Sequence, residues 1–328
     1  MSLKYFLSLL LICLNTISFG QTDFTNRYSM KLEKRVDGSF TLLNRDKYSR
    51  LINLDSIPDL LVPYNHTDVK LSSELYNKTT SVEYTYKSYP GYDLKLIVDL
   101  ANSDKPSPFM IYIHGGGWAR GDNSSNSDIS KYCAWNAGIT GVRISYTLAD
   151  KPDATILVTI QDVLDAVKWI KDNHVALNVN PSSFGFMGSS AGAHLSAIAA
   201  MSVPGTKVLI GVSGIYDLLT ASISIKATES QRVKYFNFKD DKTLREASPV
   251  CNIPKTELPA CYLIHGTADL TVEYTQTERF AKELKRNGIK NLKVDIFPNY
   301  DHNIGSKKSD LKELLFFKSY NFIKDNLK

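Results

Sequence analysis

Apolar positions along this chain follow two rhythms, one with period two and one near 3.6, and the two take turns. Val82-Glu83-Tyr84-Thr85-Tyr86 and Leu94-Lys95-Leu96-Ile97-Val98 flank Tyr89-Pro90-Gly91-Tyr92, which predicts a β-hairpin closed by a proline-glycine turn. Beyond it come short apolar runs: Phe109-Met110-Ile111-Tyr112-Ile113, Gly141-Val142-Arg143-Ile144-Ser145-Tyr146, Phe184-Gly185-Phe186-Met187, Val208-Leu209-Ile210-Gly211-Val212, Tyr262-Leu263-Ile264-His265 and Leu292-Lys293-Val294-Asp295-Ile296-Phe297. Most of these lack polar alternation, as strands buried on both faces do.

Helical signals fill the gaps. Across residues 159–173, Ile160, Val163, Leu164, Val167 and Ile170 recur at helical spacing with charged residues opposite. Further helices are predicted over 124–137, over the small-residue stretch 191–201, over 274–286 with a stop at Asn287-Gly288, and over 311–327. A hairpin followed by repeated strand–helix units predicts an α/β fold, a mostly parallel central sheet with helices on both faces.

Two regions break this rhythm. Residues 21–80 form an N-terminal extension, polar and weakly periodic, in which 51–62 predicts a short helix or a strap. It either wraps the main domain of residues 81–328 or caps its site. Residues near 220–245 are polar and mixed in charge, and they lie between strands whose C-terminal ends face the site. That position predicts a lid-like insertion.

Composition narrows the reading a little. At 328 residues and 43% hydrophobic, the chain can bury one large core. Its formal charge of +5 is spread among interspersed acids and bases, which is no nucleic-acid footprint. Residues 1–20 carry Lys4, an apolar stretch over 5–14 and the small-x-small end Ser18-Phe19-Gly20, so a cleavable signal peptide is expected, and with it a secreted or periplasmic protein. The stretch is too short for a comfortable span, and no stable membrane anchor is expected. Removal of the signal leaves Cys133, Cys251 and Cys261, an odd number. Cys251 and Cys261 either bridge or stay apart.

The chemistry sits in two glycine-rich stretches. Gly188-Ser189-Ser190-Ala191-Gly192 follows an apolar strand and precedes a small-residue helix, so its glycines leave room for a tight turn that presents Ser190 at the strand tip. A serine hydroxyl becomes a useful nucleophile only when a base takes its proton. His302, in Asn299-Tyr300-Asp301-His302-Asn303, follows the last strand and so reaches the sheet edge where Ser190 is expected. The other histidines fit the task less well. His66 lies in the extension, His114 in a glycine run, and His174 ends a helix. His194 packs behind the serine turn, and His265 ends an apolar strand. Asp269, in His265-Gly266-Thr267-Ala268-Asp269, follows a strand and precedes His302, so it is the expected orienting acid. Asp301 adjoins the histidine and Asp295 lies inside a strand. The second stretch, His114-Gly115-Gly116-Gly117-Trp118, offers the Gly116 and Gly117 N–H groups, with that of Ala191, to an oxygen that becomes an anion. Trp118 is a candidate for stacking on a sugar ring, or is plain packing.

These residues resemble the α/β-hydrolase superfamily, and within it the esterase branch of hormone-sensitive-lipase-like and feruloyl-esterase-like (BD-FAE-like) enzymes. His114 to Trp118 with Gly121-Asp122 looks like that branch's oxyanion segment, and Ser145-Tyr146-Thr147-Leu148 like its next strand end. Gly188 to His194 looks like its G-x-S-A-G-G-H turn, with Ala193 in place of the second glycine. The resemblance implies hydrolysis of carboxylic esters through an acyl-serine intermediate, with no cofactor and no metal. Exported members of this branch act on acetyl or feruloyl groups, so the implied substrate is a small-molecule or polysaccharide-linked ester. Ser213-Gly214-Ile215-Tyr216-Asp217-Leu218 also resembles a segment of kynurenine-formamidase relatives, which keeps an arylformamidase-type amidase as the alternative. A non-catalytic binding scaffold is the other alternative, and such scaffolds lose the serine, the histidine or the glycine run.

Overall fold

The computed structural model describes residues 30–34, 40–44, 51–53, 78–221, 234–236, 241–304 and 309–327. The chain divides into two compact units, Met1–Thr67 and Asp68–Lys328. In the first, β1 (Met30–Lys34), β2 (Phe40–Asn44) and β3 (Leu51–Asn53) pair antiparallel in that order. Residues 51–53 are therefore a strand and not the start of a helix; 54–62 lie outside the described residues. So do residues 1–20 and most of the insertion near 220–245.

The second unit is built on an eight-stranded sheet. Its strands are β4 (Ser81–Tyr89), β5 (Tyr92–Asp99), β6 (Ser107–Ile113), β7 (Thr140–Ile144), β8 (Val179–Ser189), β9 (Val208–Val212), β10 (Ala260–Gly266) and β11 (Leu292–Phe297). They lie in the order β11-β10-β9-β8-β6-β7-β5-β4. From β11 to β7 every pair is parallel, and β5 and β4 then add antiparallel. The predicted hairpin is β4–β5, with Tyr89 opposite Tyr92 and Gly91 at φ 88° in the turn. The described helices are α1 (Ser127–Ala137), α2 (Ile156–Asp172), α3 (Ala191–Ser202), the short α4 (Asp241–Glu246), α5 (Thr275–Arg286) and α6 (Ser309–Asn326).

Sequence explains why these elements pack as they do. Phe109, Met110, Ile111, Tyr112 and Ile113 are all buried, because helices cover both faces of the central strand β6. In α2, capped by the Thr155 hydroxyl accepting the Val158 N–H at 3.2 Å, the buried stripe runs through Ile156, Ile160, Val163, Val167 and Ile170. Helix α3 has no exposed face from 191 through 201, since every residue there is buried. Its small side chains let it lie close against the sheet. A Cβ added at Gly192 would stand 2.1 Å from the Ile113 carbonyl oxygen, and one at Gly188 would stand 2.3 Å from that of Gly192. Those two glycines bring the first turn of α3 onto the end of β6, and this close approach places the site.

Candidate active site

The turn from β8 into α3 is strained at its centre. Ser190 has φ 55° and ψ −124°, a conformation that costs a non-glycine residue on the order of 1–3 kcal/mol. The surroundings hold it there. The Ser190 N–H donates to the Val212 carbonyl at 2.8 Å, and its own carbonyl accepts the Ala193 and His194 N–H groups at 2.9 and 3.1 Å. The result is a hydroxyl held at the tip of the strand.

His302 reaches that hydroxyl from the loop after β11. Its Nε2 lies 2.9 Å from Ser190 Oγ and its Nδ1 lies 2.7 Å from Asp269 Oδ2. Because Nδ1 faces a carboxylate, the proton sits on Nδ1, and Nε2 accepts from the serine. Asp269 comes from the loop after β10. Its other oxygen, Oδ1, accepts the Thr271 and Val272 N–H groups at 2.8 and 2.9 Å. Burial pushes the Asp269 carboxyl upward, but hydrogen bonds from His265, His302 and the Val272 amide outweigh it and hold the group well below the usual carboxylate range. It is a buried, ionised acid behind the imidazole.

The glycine run passes directly in front of the serine turn. A Cβ added at Gly115 would lie 2.8 Å from the Ser189 carbonyl oxygen and 3.4 Å from Ser190 Cβ. Gly116 and Gly117 follow with φ 115° and 63°. Ala191 opens α3, so its N–H has no acceptor within the helix and points into the region that the helix dipole makes favourable for an anion. His114, which precedes the glycines, is buried and stacks on Tyr146 at 4.2 Å, while the Tyr146 hydroxyl donates to the His114 carbonyl at 2.9 Å. Burial pushes the His114 imidazole down from its ordinary value, opposed by its hydrogen bond to Gly115 and by the charge of Asp122.

Ser190, Asp269 and His302 are thus brought together; Ala191 follows Ser190 in the chain, and the glycine run meets the serine turn at Gly115. Trp118 is not part of the opening. It is only 2% exposed, its indole N–H donates to His194 Nδ1 at 3.3 Å, and its ring meets His194 and Phe236 edge to face. A ring packed between those neighbours offers no face to a sugar, which removes it as a stacking candidate. Phe236 and Tyr235, whose hydroxyl donates to Thr159 Oγ1 at 2.7 Å, belong to the insertion, so part of that segment is core. Of the acids set aside, Asp295 accepts from Tyr262 at 2.5 Å and from Lys318 at 3.2 Å, and Asp301 accepts the Asn303 N–H. Cys133, Cys251 and Cys261 are free thiols, which closes the question of a bridge between the last two. Among the described residues no group of three or more His, Cys, Asp and Glu gathers as a metal site would require.

Two contacts escaped the sequence reading. His265 Nε2 lies 3.0 Å from Asp269 Oδ2, on the oxygen that His302 also uses. The Ser213 hydroxyl, on a residue with φ 49°, donates to the His302 carbonyl at 3.1 Å. Only the four-residue spacing between His265, at the end of β10, and Asp269, in the loop that follows, hints at the first. Nothing in the sequence signals the second, because it joins loops 89 residues apart.

This sheet order, with a serine turn after the fifth strand of its unit and the acid and histidine on later strand ends, defines an α/β-hydrolase. The profile of the BD-FAE family matches residues 97–284, and the chain belongs to that family. Among curated relatives, the probable isoprenylcysteine alpha-carbonyl methylesterase ICME of Oryza sativa subsp. japonica is 27% identical over 207 residues, which is 57% of this chain and 49% of that protein. Esterase LipQ of Mycobacterium tuberculosis is 24% identical over 213 residues, covering 60% of this chain and 50% of that one. The chain spans about half the length of the curated relatives it matches. Among solved structures, the thermophilic esterase Est2 of Thermogutta terrifontis shares the fold, with a TM-score of 0.64 at 20% identity over 75% of this chain and 92% of that one.

Proposed function

We propose that this chain is an exported serine esterase that hydrolyses carboxylic esters through an acyl-serine intermediate, acting on small-acyl or carbohydrate-linked esters. The observation that carries the reading is the unbroken line from Ser190 Oγ through His302 to Asp269, at 2.9 and 2.7 Å. Ser190 Oγ attacks the ester carbonyl carbon while its proton passes to His302 Nε2. The carbonyl π pair moves onto oxygen, where the N–H groups of Ala191, Gly116 and Gly117 receive it. Collapse breaks the bond to the alcohol oxygen, which leaves with the proton from His302. Water repeats the sequence on the acyl-serine and releases the acid.

The relatives' names support an ester substrate: one is a probable methylesterase and another an esterase. Export rests on the pattern of residues 1–20, and the acetyl or feruloyl preference on the family resemblance. The test is turnover of p-nitrophenyl acetate, acetylated oligosaccharides and feruloylated oligosaccharides by the mature enzyme and by Ser190→Ala. Hydrolysis of these esters that disappears in the variant supports the reading. Turnover of N-formylkynurenine in preference to every ester would replace it with the amidase that the segment from Ser213 to Leu218 brings to mind. No turnover, with no labelling of Ser190 by a fluorophosphonate, would leave a binding scaffold.

A further inference from the structure

The Asp269 carboxylate has about four acceptor positions, and the structure fills all of them. Oδ1 takes the Thr271 and Val272 amides; Oδ2 takes His302 and a second imidazole, His265. His265 is fully buried, and its hydrogen bonds fix its tautomer. Nε2 faces two acceptors, Asp269 Oδ2 at 3.0 Å and the Val272 carbonyl at 2.9 Å, so Nε2 carries a proton. Nδ1 lies 2.7 Å from Thr277 Oγ1, a hydroxyl buried in the first turn of α5 that donates to it. A continuous chain therefore runs from Thr277 through His265, Asp269 and His302 to Ser190.

We propose that His265 is a positioning residue of this site: held as the Nε2–H tautomer by Thr277, it donates the fourth hydrogen bond to Asp269 and so governs how strongly that carboxylate draws on His302. The proposal rests on the esterase reading only in naming His302 as the base. Its physical content is that two imidazoles compete for one oxygen. A hydrogen bond from His265 disperses charge on Oδ2, which weakens the pull of the carboxylate on the His302 N–H and limits the stabilisation of the His302 cation. The same bond holds the carboxylate plane, and with it the ring orientation that aims Nε2 at Ser190. The ionisable groups set around His265 are Asp269 in the loop after β10, His302 across the carboxylate, and Tyr216, which lies beside Thr277 with its ring stacked on Phe280. Burial keeps the Tyr216 phenol neutral, so Asp269 supplies the charge that matters.

Removing the His265 donor gives the carboxylate back to His302, so the His302 cation becomes more stable and the acid limb of activity moves upward. In His265→Leu, the acid limb of kcat/KM is expected to rise by about one pH unit. KM is expected to stay near the parent value, because a fully buried ring touches no substrate. His265→Gln retains an N–H donor and is expected to return the limb most of the way. Thr277→Val, a near-isosteric change that keeps the imidazole, is expected to move it in the same direction by less. It carries the test if His265→Leu fails to fold.

The measurements are pH profiles of p-nitrophenyl acetate hydrolysis and, in parallel, NMR titration of the His302 ring in the full chain. The NMR readout needs no turnover, so it tests this proposal even if the esterase reading fails. Coincident shifts of both readouts in His265→Leu, reversed in His265→Gln, support it. A melting temperature that falls while the His302 titration stays fixed in both His265→Leu and Thr277→Val overturns it, and makes His265 ordinary packing.

Discussion

Two histidines flank the Ser190 turn from opposite sides, and the protein treats them in opposite ways. His302 stands in front, its side chain 18% exposed, between the serine hydroxyl and a carboxylate. His194 stands behind, one helical turn along α3 and wholly buried, between the Trp118 indole N–H and the Ala247 carbonyl at 2.7 Å. Burial drives the His194 imidazole down to about 4, opposed only by the bond to Ala247. In the proposed reaction the base changes its protonation state within each turnover, so it needs a counter-charge that is present in both states; Asp269 supplies that to His302. His194 has a neutral partner on each nitrogen and no counter-charge for its cation, so it stays neutral until about pH 4. The ring nearer in sequence to the serine is therefore the structural one.

The largest effects should separate these sides completely. Ser190→Ala and His302→Gln remove the proposed nucleophile and the proposed base, and each is expected to lower kcat on p-nitrophenyl acetate by roughly 10³- to 10⁶-fold. His194→Gln, whose amide can donate to Ala247 and accept from Trp118, is expected to stay within about tenfold of the parent. An inactive but well-folded His194→Gln would break the comparison outright.

Next in size comes the acid. Asp269→Asn keeps the shape but withdraws the charge and presents the wrong hydrogen-bonding pattern to both His302 and His265. A loss of roughly 10⁴-fold in kcat is expected, as for other enzymes of this chemistry. Retention of a tenth or more of parental kcat would mean that Asp269 does not orient the base. A third, smaller effect concerns the scaffold. A Cβ at Gly192 would meet the Ile113 carbonyl, so Gly192→Ala must push α3 away from β6 and shift Ser190 and the Ala191 N–H together. A displacement of about 1 Å typically costs a hundredfold in rate. Gly138→Ala is the matched control, since its Cβ would meet nothing although φ is 63°. It is expected to cost about 1–2 kcal/mol of stability in urea unfolding and leave kcat alone.

Much of this is legible in the amino-acid sequence. Buried parallel strands announce themselves as unbroken apolar runs, and strand ends followed by Gly, Ser, Asp or His mark the sheet edge where chemistry collects. That is why Ser190, Asp269 and His302 could be named from chain order. Pairings between distant buried polar groups were not legible. Arg143 inside the apolar strand β7 looks misplaced until Asp99 is seen accepting from it at 2.8 and 3.0 Å. Trp118 looked available because it follows exposed-looking glycines; Phe236, 118 residues later, covers it. His265 read as a strand end, and its partnership with Asp269 depends on a loop conformation that spacing alone does not specify.

The finest test of the contrast lies in stability against pH rather than in rate. An unfolded histidine binds its proton near 6.5, whereas folded His194 resists until about pH 4. Between those values the unfolded chain holds more protons than the folded one, so stability rises with pH through this window and is lost as pH falls through it. The gap is worth about 3 kcal/mol once fully developed below pH 4. His114, also held below its ordinary value by burial, adds a contribution of the same sign. Asp269 acts lower, because its depressed folded value stabilises the protein above the ordinary carboxylate range and is surrendered only in stronger acid. Urea unfolding of Ser190→Ala in steps from pH 7.5 to 4.5 should therefore show a decline that the added His194→Gln makes shallower without abolishing, since His114 remains. The nucleophile-free background separates the measurement from catalysis. Parallel curves for the two proteins would mean that His194 accepts a proton in the folded state as readily as in the unfolded one, and the distinction between the two sides of the turn would rest on contact to Ser190 alone.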